Sequence, residues 1–598
     1  MKEKIEKLIK NVLKNLGMED VSFSVEHPES FVNGDYSTNV AMVCLRNKAK
    51  EATRDMGTKI KTTEIMDIDK HFSSPRGFAD FLKIELEKIK PKEIKKIEVA
   101  GAGFINFYLS REFFTESVSN ILNKKENWGK NEILTGKKVM VEYTQPNPFK
   151  PFHIGHLMSN AIGESISRIV EFSGAKIVRA NYQGDVGPHV AKAIYSILNS
   201  KESLEVGLPK IGSRTSYNEL AQYIGECYSK GSNLYDNNEN AKKKIDEINK
   251  KIYDKSDDEI NKIYDWGRKI TLEAFEEIYK LLGTKFDHYF FESEMAVKGE
   301  KVVRENTGNV FEESAGAIVF HGENYDKKLH TRVFINSQGL PTYETKEIGL
   351  TMTKFEKENP DISIVTTAIE QAEYMKVVQK AISLMHPDLE SRMKHITHGM
   401  MRLATGKMSS RKGNVITGES LLRDSMDIVL EKVKDRELSD EEKKKISEIV
   451  GVAALKYSIL RSSLGSDIVY DFEKSISFDG DSGPYLQYTA VRANSILEKA
   501  RDFNIEDKGN IPEETTDLEK IIYQFPEIIE RSYLLLEPHH IATYLTGLAS
   551  SFNTFYGNTK ILDDKNKSVI YHLKLIKAFY QTMKNGLWLL GIETPEKM

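Results

Sequence analysis

Residues 137–180 read KKVMVEYTQPNPFKPFHIGHLMSNAIGESISRIVEFSGAKIVRA, and this stretch decides the fold. The apolar run at 139–141 is typical of a strand buried in a parallel sheet, and AKIVRA predicts a second strand. Between them, a proline-rich turn leads into a helix pattern that Gly174 ends. One side of that helix carries Leu157, Ala161, Ile162, Ser165, Ile166, Ile169 and Val170. We therefore predict a βαβ unit, which places its ligand at the carboxyl ends of the strands.

Three polar side chains are expected at that ligand-binding edge: Glu142 at the strand end, and His153 and His156 at the helix entry. Exposed N–H groups at a helix N-terminus favour phosphate, and two histidines one turn apart can donate to its oxygens. Gly155 would let a nucleotide approach the backbone closely. Alone, the pair has two other interpretations. The histidines can simply cap and pack the helix, or they can share a metal ion, although no third ligand lies nearby in the sequence.

Length and composition narrow the class of protein. At 598 residues the chain predicts two to four domains. Its two cysteines, Cys44 and Cys227, are too few for a disulfide framework or a four-thiolate zinc site, which favours a reducing, cytoplasmic compartment. No apolar run is long enough to predict membrane association. With 85 basic and 89 acidic residues, any surface that binds nucleic acid must be local.

The pattern along the chain predicts an α/β protein with three parts. Residues 1–110 read as a small α+β domain that ends in the strand pair IEVAGAGFINFYLS. Residues 111–465 alternate strand and helix patterns, which predicts a Rossmann-type parallel-sheet domain, with a charged helical insertion at about 195–280. Residues 466–598 read as all-helical. Within that segment Leu545, Leu548, Phe552 and Phe555 recur at helix spacing and are predicted core residues.

A second element, ATGKMSSRKGNVITGESLL, begins at Ala404. It places Lys407, Arg411 and Lys412 among hydroxyl side chains in a loop flanked by glycines, at 407–413. On its own, this pattern is equally typical of a basic surface loop.

The two elements together resemble the paired signature of class I aminoacyl-tRNA synthetases: HIGH opening a helix after the first strand, and KMSSRKG about 260 residues later. The stretches VEYTQPNPFKPFHIGH, ANYQGDVG, GLPTYETKEIGL, FDGDSGPYLQY and EPHHIATYLTGLASSFNTFY resemble arginyl-tRNA synthetases over nearly the whole chain. The chain departs from the common family pattern at Ser410, where lysine is frequent, at Gln145 (serine), Val186 (tryptophan) and Glu347 (aspartate).

The resemblance implies a ligase that activates L-arginine with ATP, with Mg²⁺ as cofactor, and passes arginine to the 3′-terminal ribose of tRNA(Arg). Implied catalytic residues are His153, His156, Lys407, Arg411 and Lys412, and ATP binding adds Gly155, Met408 and Ser409. The arginine site would comprise Glu142, Gln145, Asn147, Lys150, Tyr343, Glu347 and Gln371. Arginine's planar cation suits carboxylates. Taken singly, Tyr343 and Glu347 are also compatible with an exposed helix pair, and Asn147 with a turn.

The resemblance also implies where tRNA binds. Residues 466–598 would read the anticodon, with Tyr485, Tyr488, Tyr556 and Met598 as candidates, and Phe104 and Asn106 would contact the tRNA elbow. The family generally requires tRNA for amino-acid activation. We expect a cytoplasmic monomer with no membrane partner and no metal ligands of its own.

Other readings of the chain fit less well. Small-molecule adenylyltransferases with a HIGH helix are far shorter, a cysteinyl synthetase needs a zinc site, and the leucine, isoleucine and valine enzymes need an editing insertion. A non-catalytic RNA-binding relative would not need His153, His156, Lys407 and Glu142.

Overall fold

The computed structural model describes residues 1–18, 20–46, 74–200, 216–404, 417–504, 509–563 and 566–598. The chain divides into two compact units, each built from several segments. The first unit comprises residues 1–128, 495–524 and 550–582. The second comprises residues 129–494, 525–549 and 583–598.

The strands are β1 Val25–Glu26, β2 Tyr36–Thr38, β3 Ile94–Ala100, β4 Phe104–Leu109, β5 Lys138–Glu142, β6 Lys176–Gln183, β7 His288–Phe291, β8 Glu312–Ser314, β9 Ala317–His321, β10 Thr331–Ile335, β11 Ile362–Ala368, β12 Met393–His398, β13 Met401–Leu403 and β14 Ile468–Tyr470. The helices are α1 Lys2–Asn15, α2 Pro75–Ile89, α3 Arg111–Lys124, α4 Ile154–Phe172, α5 Pro188–Leu198, α6 Tyr217–Asn237, α7 Glu239–Asp254, α8 Asp258–Leu281, α9 Glu292–Glu305, α10 Tyr343–Glu358, α11 Ala372–Met385, α12 Gly418–Val433, α13 Asp440–Leu460, α14 Phe472–Ser475, α15 Gly483–Lys499, α16 Asp517–Ile522, α17 Phe525–Leu535, α18 His539–Asn558 and α19 Val569–Leu589.

The second unit is organised around a five-stranded parallel sheet in the order β7-β6-β5-β11-β12. Numbered along the chain, this is the 3-2-1-4-5 order of a doubly wound fold, and its direction of winding reverses between β5 and β11. At that point Glu142 lies opposite Val365 on one side and Ala180 on the other. The predicted βαβ unit and parallel sheet are confirmed, and the reversal marks where a ligand belongs.

Helix α4 is buried on nearly every side, whereas the sequence predicted one apolar face. The helix packs on β5, β6 and β11 and also against α12, α13 and α17. Its buried polar groups are therefore paired internally. The Asn160 side-chain amide donates to Thr144 Oγ1 at 3.0 Å and accepts from Thr284 Oγ1 at 3.0 Å. The continuous burial comes from helices that the local sequence pattern does not reveal.

The first unit contains a four-stranded antiparallel sheet in the order β1-β2-β4-β3, which confirms the predicted α+β segment and its terminal strand pair. Its core includes Ile5, Phe78 and Phe107, and Tyr523 belongs to the same cluster. Buried Asp35 accepts a hydrogen bond from the Leu109 N–H at 2.7 Å. The hydrophobic core thus extends beyond the first 110 residues.

Two features differ from the sequence prediction. A three-stranded antiparallel sheet, β10-β9-β8, was not predicted, because its strands are only three to five residues long. Strand β14 lies inside the segment predicted as all-helical and pairs with β13. In the described part of the predicted insertion, α6, α7 and α8 are helical as expected. Across the described ranges, no helix combines the length and apolar character needed to span a membrane.

Candidate active site

The loop between β5 and α4 is strained and held in place. Thr144, Gln145 and Phe149 have φ values of 79°, 55° and 67°, a region that costs a residue other than glycine about 1–3 kcal/mol. The backbone N–H of Thr144 donates to Ser159 Oγ at 3.0 Å, and that of Gln145 donates to Asn181 Oδ1 at 3.2 Å. These bonds to α4 and β6 fix the loop at the carboxyl edge of the sheet.

His153 and His156 cap helix α4 reciprocally. The His156 N–H donates to His153 Nδ1 at 3.3 Å, and the His153 N–H donates to His156 Nδ1 at 3.2 Å. The two rings stack with centroids 3.4 Å apart. Because each Nδ1 accepts a backbone hydrogen bond, each neutral ring carries its proton on Nε2. The capping interpretation is therefore correct, and it leaves both Nε2–H groups as potential donors.

Both imidazoles are neutral near pH 7. Desolvation, reinforced by the charge of Lys150, lowers the pKa of His153 to about 4, although part of its side chain reaches solvent. Burial lowers the pKa of His156 well below its usual range, with smaller contributions from His153 and Lys150. Any stabilisation of phosphate by this pair would therefore come from N–H donation rather than from an imidazolium charge.

Gly155 lies against the capping ring. A Cβ at this position would come within 3.0 Å of His153 Cε1 and 3.1 Å of His153 Nδ1. The glycine thus leaves room for the stacked histidine pair, a reason that differs from the close nucleotide approach expected from the sequence.

Glu142 is fully buried and already has a cationic partner. Its Oε2 lies 2.7 Å from Lys354 Nζ, and its Oε1 accepts from Gln145 Nε2 at 2.6 Å. The Lys354 side chain is only 2% exposed. A buried carboxylate is costly unless it has such partners. Glu142 and Gln145, both predicted for the arginine site, are in contact.

Glu347 is a second carboxylate in the same region. Burial and then the charge of Glu142 raise its pKa to about 8, and Lys354 partly offsets this effect. Tyr374 Oη donates to Glu347 Oε1 over 3.4 Å. Among the described residues, Lys354 is the cation that contacts Glu142, and Glu347 forms no ion pair. The pocket therefore has more carboxylates than cations and favours a cationic ligand.

A separate charge pair lies beside the predicted Asn147. Lys346 Nζ lies 2.7 Å from Glu292 Oε2, with both side chains buried. Asn147 Oδ1 accepts from the Gly184 N–H at 3.1 Å, and a Cβ on Gly184 would meet both Asn147 Oδ1 and Glu292 Oε1. Lys150 belongs to the same region, since burial lowers its pKa while the charge of Glu292 raises it.

The remaining predicted arginine-site residues lie at the ends of two elements. Tyr343 begins α10 and is 62% exposed, with Lys346 Nζ 5.0 Å from its ring centroid. Gln371 follows β11 at the start of α11, and it is exposed. Both positions leave the side chain accessible to a ligand.

The sequence analysis missed several side chains of this region: Tyr182, Glu292, Lys346, Lys354 and Tyr374. Tyr182 is 8% exposed, and its hydroxyl has no hydrogen-bond partner among the described residues. The charges of Glu292 and Glu347 raise its pKa further beyond the effect of burial. The stretch ANYQGDVG, which contains Tyr182, could have indicated this residue. No local signal marks Lys354.

Some predicted residues are not described or lie elsewhere. Lys407, Met408, Ser409, Arg411 and Lys412 fall outside the described residues. In the first unit Phe104 is 44% exposed and Tyr556 is 42% exposed. Asn106, however, is 3% exposed and accepts from Ser37 Oγ at 2.8 Å. The Asn106 side chain therefore links β4 to β2.

The other three candidates for tRNA binding belong to the second unit. Tyr485 and Tyr488 are half-buried on α15, where Arg492 lies over the Tyr488 ring at 4.8 Å. Met598 packs against the cluster that contains Val429. The Met598 side chain is therefore partly buried.

Three family models match the chain. The model described as "tRNA synthetases class I (R), catalytic domain" matches residues 117–472. The "Arginyl tRNA synthetase N terminal domain" model matches 3–109, and the "DALR anticodon binding domain" model matches 486–598.

Relatives and solved structures agree with these models. The arginine–tRNA ligase of Borrelia turicatae is 31% identical over 543 residues, covering 87% of this chain and 91% of the relative. That of Clostridium perfringens is 31% identical over 521 residues, covering 86% and 89%. The Thermus thermophilus arginyl-tRNA synthetase structure has a TM-score of 0.79 at 23% identity, covering 100% of both chains. The Plasmodium falciparum structure has a TM-score of 0.78 at 20% identity, covering 100% and 99%.

Proposed function

Because the chain belongs to the arginyl-tRNA synthetase family and is an arginine–tRNA ligase, we propose that the edge formed by β5, β6 and β11 carries its reaction. Its substrates are arginine, ATP and tRNA. The observation that carries this assignment is the pair of carboxylates Glu142 and Glu347, of which only Glu142 contacts a lysine, Lys354, among the described residues. A guanidinium ion supplies the positive charge that this pair lacks, and its planar fork suits carboxylate oxygens.

In the arginine site, Glu347 binds the guanidinium group. The carboxylate of Glu142 makes the site more negative. The Tyr182 hydroxyl, which has no hydrogen-bond partner among the described residues, accepts a further guanidinium N–H. Asn147, Gln145, Gln371 and Lys150 hold the α-amino and carboxylate groups. Tyr343 closes the open side of the site. Neutral amino acids would leave Glu347 without a cationic partner, and such sites reject the wrong substrate strongly, by roughly 10⁴-fold.

Activation needs no protein nucleophile. A carboxylate oxygen of arginine attacks the α-phosphorus of ATP, the bond to the bridging oxygen breaks, and pyrophosphate leaves. The Nε2–H groups of His153 and His156 donate to phosphate oxygens as charge develops on them. Lys407, Arg411 and Lys412, together with Met408 and Ser409, act on ATP and the leaving pyrophosphate. A ribose hydroxyl of tRNA then attacks the adenylate carbonyl, and AMP departs.

We propose that Mg²⁺ enters with ATP. In the described part of the chain, no three acidic, histidine or cysteine side chains at this edge come close enough to share an ion. Glu142, the buried carboxylate nearest the strand end, is already paired with Lys354. The ion would therefore be held by the phosphates of ATP, and it would supply charge neutralisation for the leaving pyrophosphate.

Other assignments remain proposals of the same kind. Residues 1–110 would contact the tRNA elbow through Phe104, residues 111–465 would form the catalytic domain, and residues 466–598 would read the anticodon. Tyr485, Tyr488, Tyr556 and Met598 are the candidates for the anticodon, where exposed bases can stack on tyrosine rings. We propose that the enzyme is a cytoplasmic monomer.

The test is amino-acid-dependent exchange between ATP and pyrophosphate, measured with all twenty amino acids in the presence and absence of tRNA. We expect exchange with arginine and only when tRNA is added. Exchange with another amino acid would overturn the assignment of Glu142 and Glu347. A Glu347→Gln variant that retained full exchange would overturn the role of that carboxylate.

A further inference from the structure

A cluster of three potential metal ligands lies at the start of α18, within the second unit. Glu537, His539 and His540 fall within four consecutive residues. Their ligand atoms all lie within 4.8 Å of one another. Glu537 Oε2 is 2.9 Å from His539 Nδ1 and 3.8 Å from His540 Nε2. The three side chains therefore converge on one point.

The two ring nitrogens that face this point make no hydrogen bond to any residue that the structure describes. His539 Nδ1 and His540 Nε2 are buried, and neither has a hydrogen-bond partner among the described residues. The carboxylate is close enough to His539 for an ion pair but does not meet hydrogen-bond geometry with it. Buried ring nitrogens without partners are costly, and a bound cation would satisfy both.

We propose that Glu537, His539 and His540 bind one divalent cation of the Zn²⁺ class. Two imidazole nitrogens and one carboxylate oxygen suit Zn²⁺, Co²⁺ or Ni²⁺, whereas Mg²⁺ and Ca²⁺ prefer oxygen ligands. Bonds of roughly 2.1 Å in a tetrahedral site place ligand atoms about 3.4 Å apart. The observed 2.9 and 3.8 Å separations bracket that value. Water would complete the coordination.

The charge of Arg531 acts on His540, and the carboxylate of Glu537 lies beside both rings. Arg531 opposes a bound cation, and Glu537 offsets it. The Glu537 N–H also donates to the Ser532 carbonyl at 3.0 Å. A bound ion would therefore pin the turn that joins α17 to α18.

The experiment is a titration of the full-length, tag-free protein with ZnCl₂ at pH 7.5. Binding is measured in two ways, by calorimetry and by competition with a chromophoric chelator. We expect one site per chain that is weakened at least about tenfold in both His540→Ala and Glu537→Gln. Bound Zn²⁺ should also raise the thermal midpoint of the wild type, because it binds only the folded chain.

Two matched controls accompany the titration. His321→Ala removes another histidine that lies near two carboxylates, those of Glu312 and Glu323, and should leave zinc binding unchanged. His540→Asn preserves a polar side chain and tests whether loss of binding merely reflects misfolding. Absence of micromolar zinc binding in the wild type would overturn the proposal. One zinc per chain that both His540 variants retain would overturn it as well.

Discussion

The Glu347 carboxyl group makes arginine binding dependent on pH. With a pKa raised to about 8, the group is mostly protonated at pH 7, whereas a guanidinium ion favours its ionised form. Arginine binding at pH 7 should therefore release about one proton, and affinity should rise toward pH 8 and then level off. Calorimetry in buffers of different ionisation enthalpy measures this release. A Glu347→Gln variant should abolish it, and a wild type with no buffer dependence would contradict the role of Glu347.

His156 should stabilise the transition state of arginine activation through one hydrogen bond from its neutral Nε2–H group. We expect His156→Ala to slow arginyl-adenylate formation by roughly 2–4 kcal/mol of barrier, which is the scale of an electrostatic donor. Single-turnover kinetics in the presence of tRNA measure this effect. His386→Ala, at an exposed position, is the control and should react like the wild type. An unchanged rate in His156→Ala would remove the residue from catalysis.

The function of a single residue is hard to predict from sequence when its side-chain partner lies far away along the chain. The sequence indicated Glu142 because it ends the first strand before the HIGH helix. Its partner Lys354 lies 212 residues away, so no local pattern connects them. Asn106 carried a family expectation of tRNA contact, but it is buried beside Ser37 of the neighbouring strand, whose hydroxyl donates to it. The sequence therefore shows which functional group stands at a position. Which side chain pairs with that group depends on the tertiary structure.

At the scale of elements, the close approach of α4 to β5 depends on Gly163. A Cβ at this position would lie 2.2 Å from both Cβ and Cγ of Tyr143, at the inflexible base of that side chain. Gly163→Ala should therefore displace the helix, lower the free energy of unfolding by about 1–3 kcal/mol or more, and reduce activity through the adjoining loop. Urea denaturation and exchange assays measure the two effects.

Gly547 in α18 provides the matched control. A Cβ there meets nothing within 4 Å, so Gly547→Ala should keep activity and raise stability by up to about 1 kcal/mol. Equal losses in both variants would show that the effect is not specific to the contact with Tyr143.

Elements with strong periodicity were predictable, and short ones were not. The apolar run of β5 and the helix pattern after it predicted the βαβ unit that the structure contains. Strands β8 to β10 were missed because an element of three to five residues carries too few alternations to be distinguished from a loop.

Within the second unit, Lys456 links separate parts of the chain and makes stability depend on pH. Its buried ammonium group donates to the carbonyls of Leu282 and Gly591. Burial lowers its pKa from 10.5 to about 7. Between pH 7 and about 10.5 the unfolded chain binds more protons at this site, so the contribution of Lys456 to stability rises with pH and is constant below that window.

Thermal midpoints of the wild type and Lys456→Gln at pH 7, 8 and 9 test this linkage. The difference in midpoint should grow in favour of the wild type as pH rises. Lys445→Gln, at an exposed position on the same helix, should follow the wild type at each pH. Parallel curves for the wild type and Lys456→Gln would contradict the depressed pKa.

For the first unit, a point variant is a sharper test of tRNA binding than truncation. Removing residues 1–110 would open the core that these residues share with Phe114 and Tyr523. Phe104→Ala should instead weaken tRNA binding by roughly 1–3 kcal/mol, as expected for loss of a stacking ring, and leave the KM values for ATP and arginine unchanged. Val32→Ala, at another exposed apolar side chain, is the control. Equal loss for all three substrates would indicate misfolding.

The interleaved segments of the two units also constrain how the gene can recombine. The first unit needs residues 495–524 and 550–582 in addition to 1–128, and the second resumes at 525–549 and 583–598. A single crossover with a relative's gene would therefore give a chimaera in which at least one unit combines segments of two parents. Exchange of a whole unit between lineages would require several simultaneous breakpoints, so these two units should be inherited together.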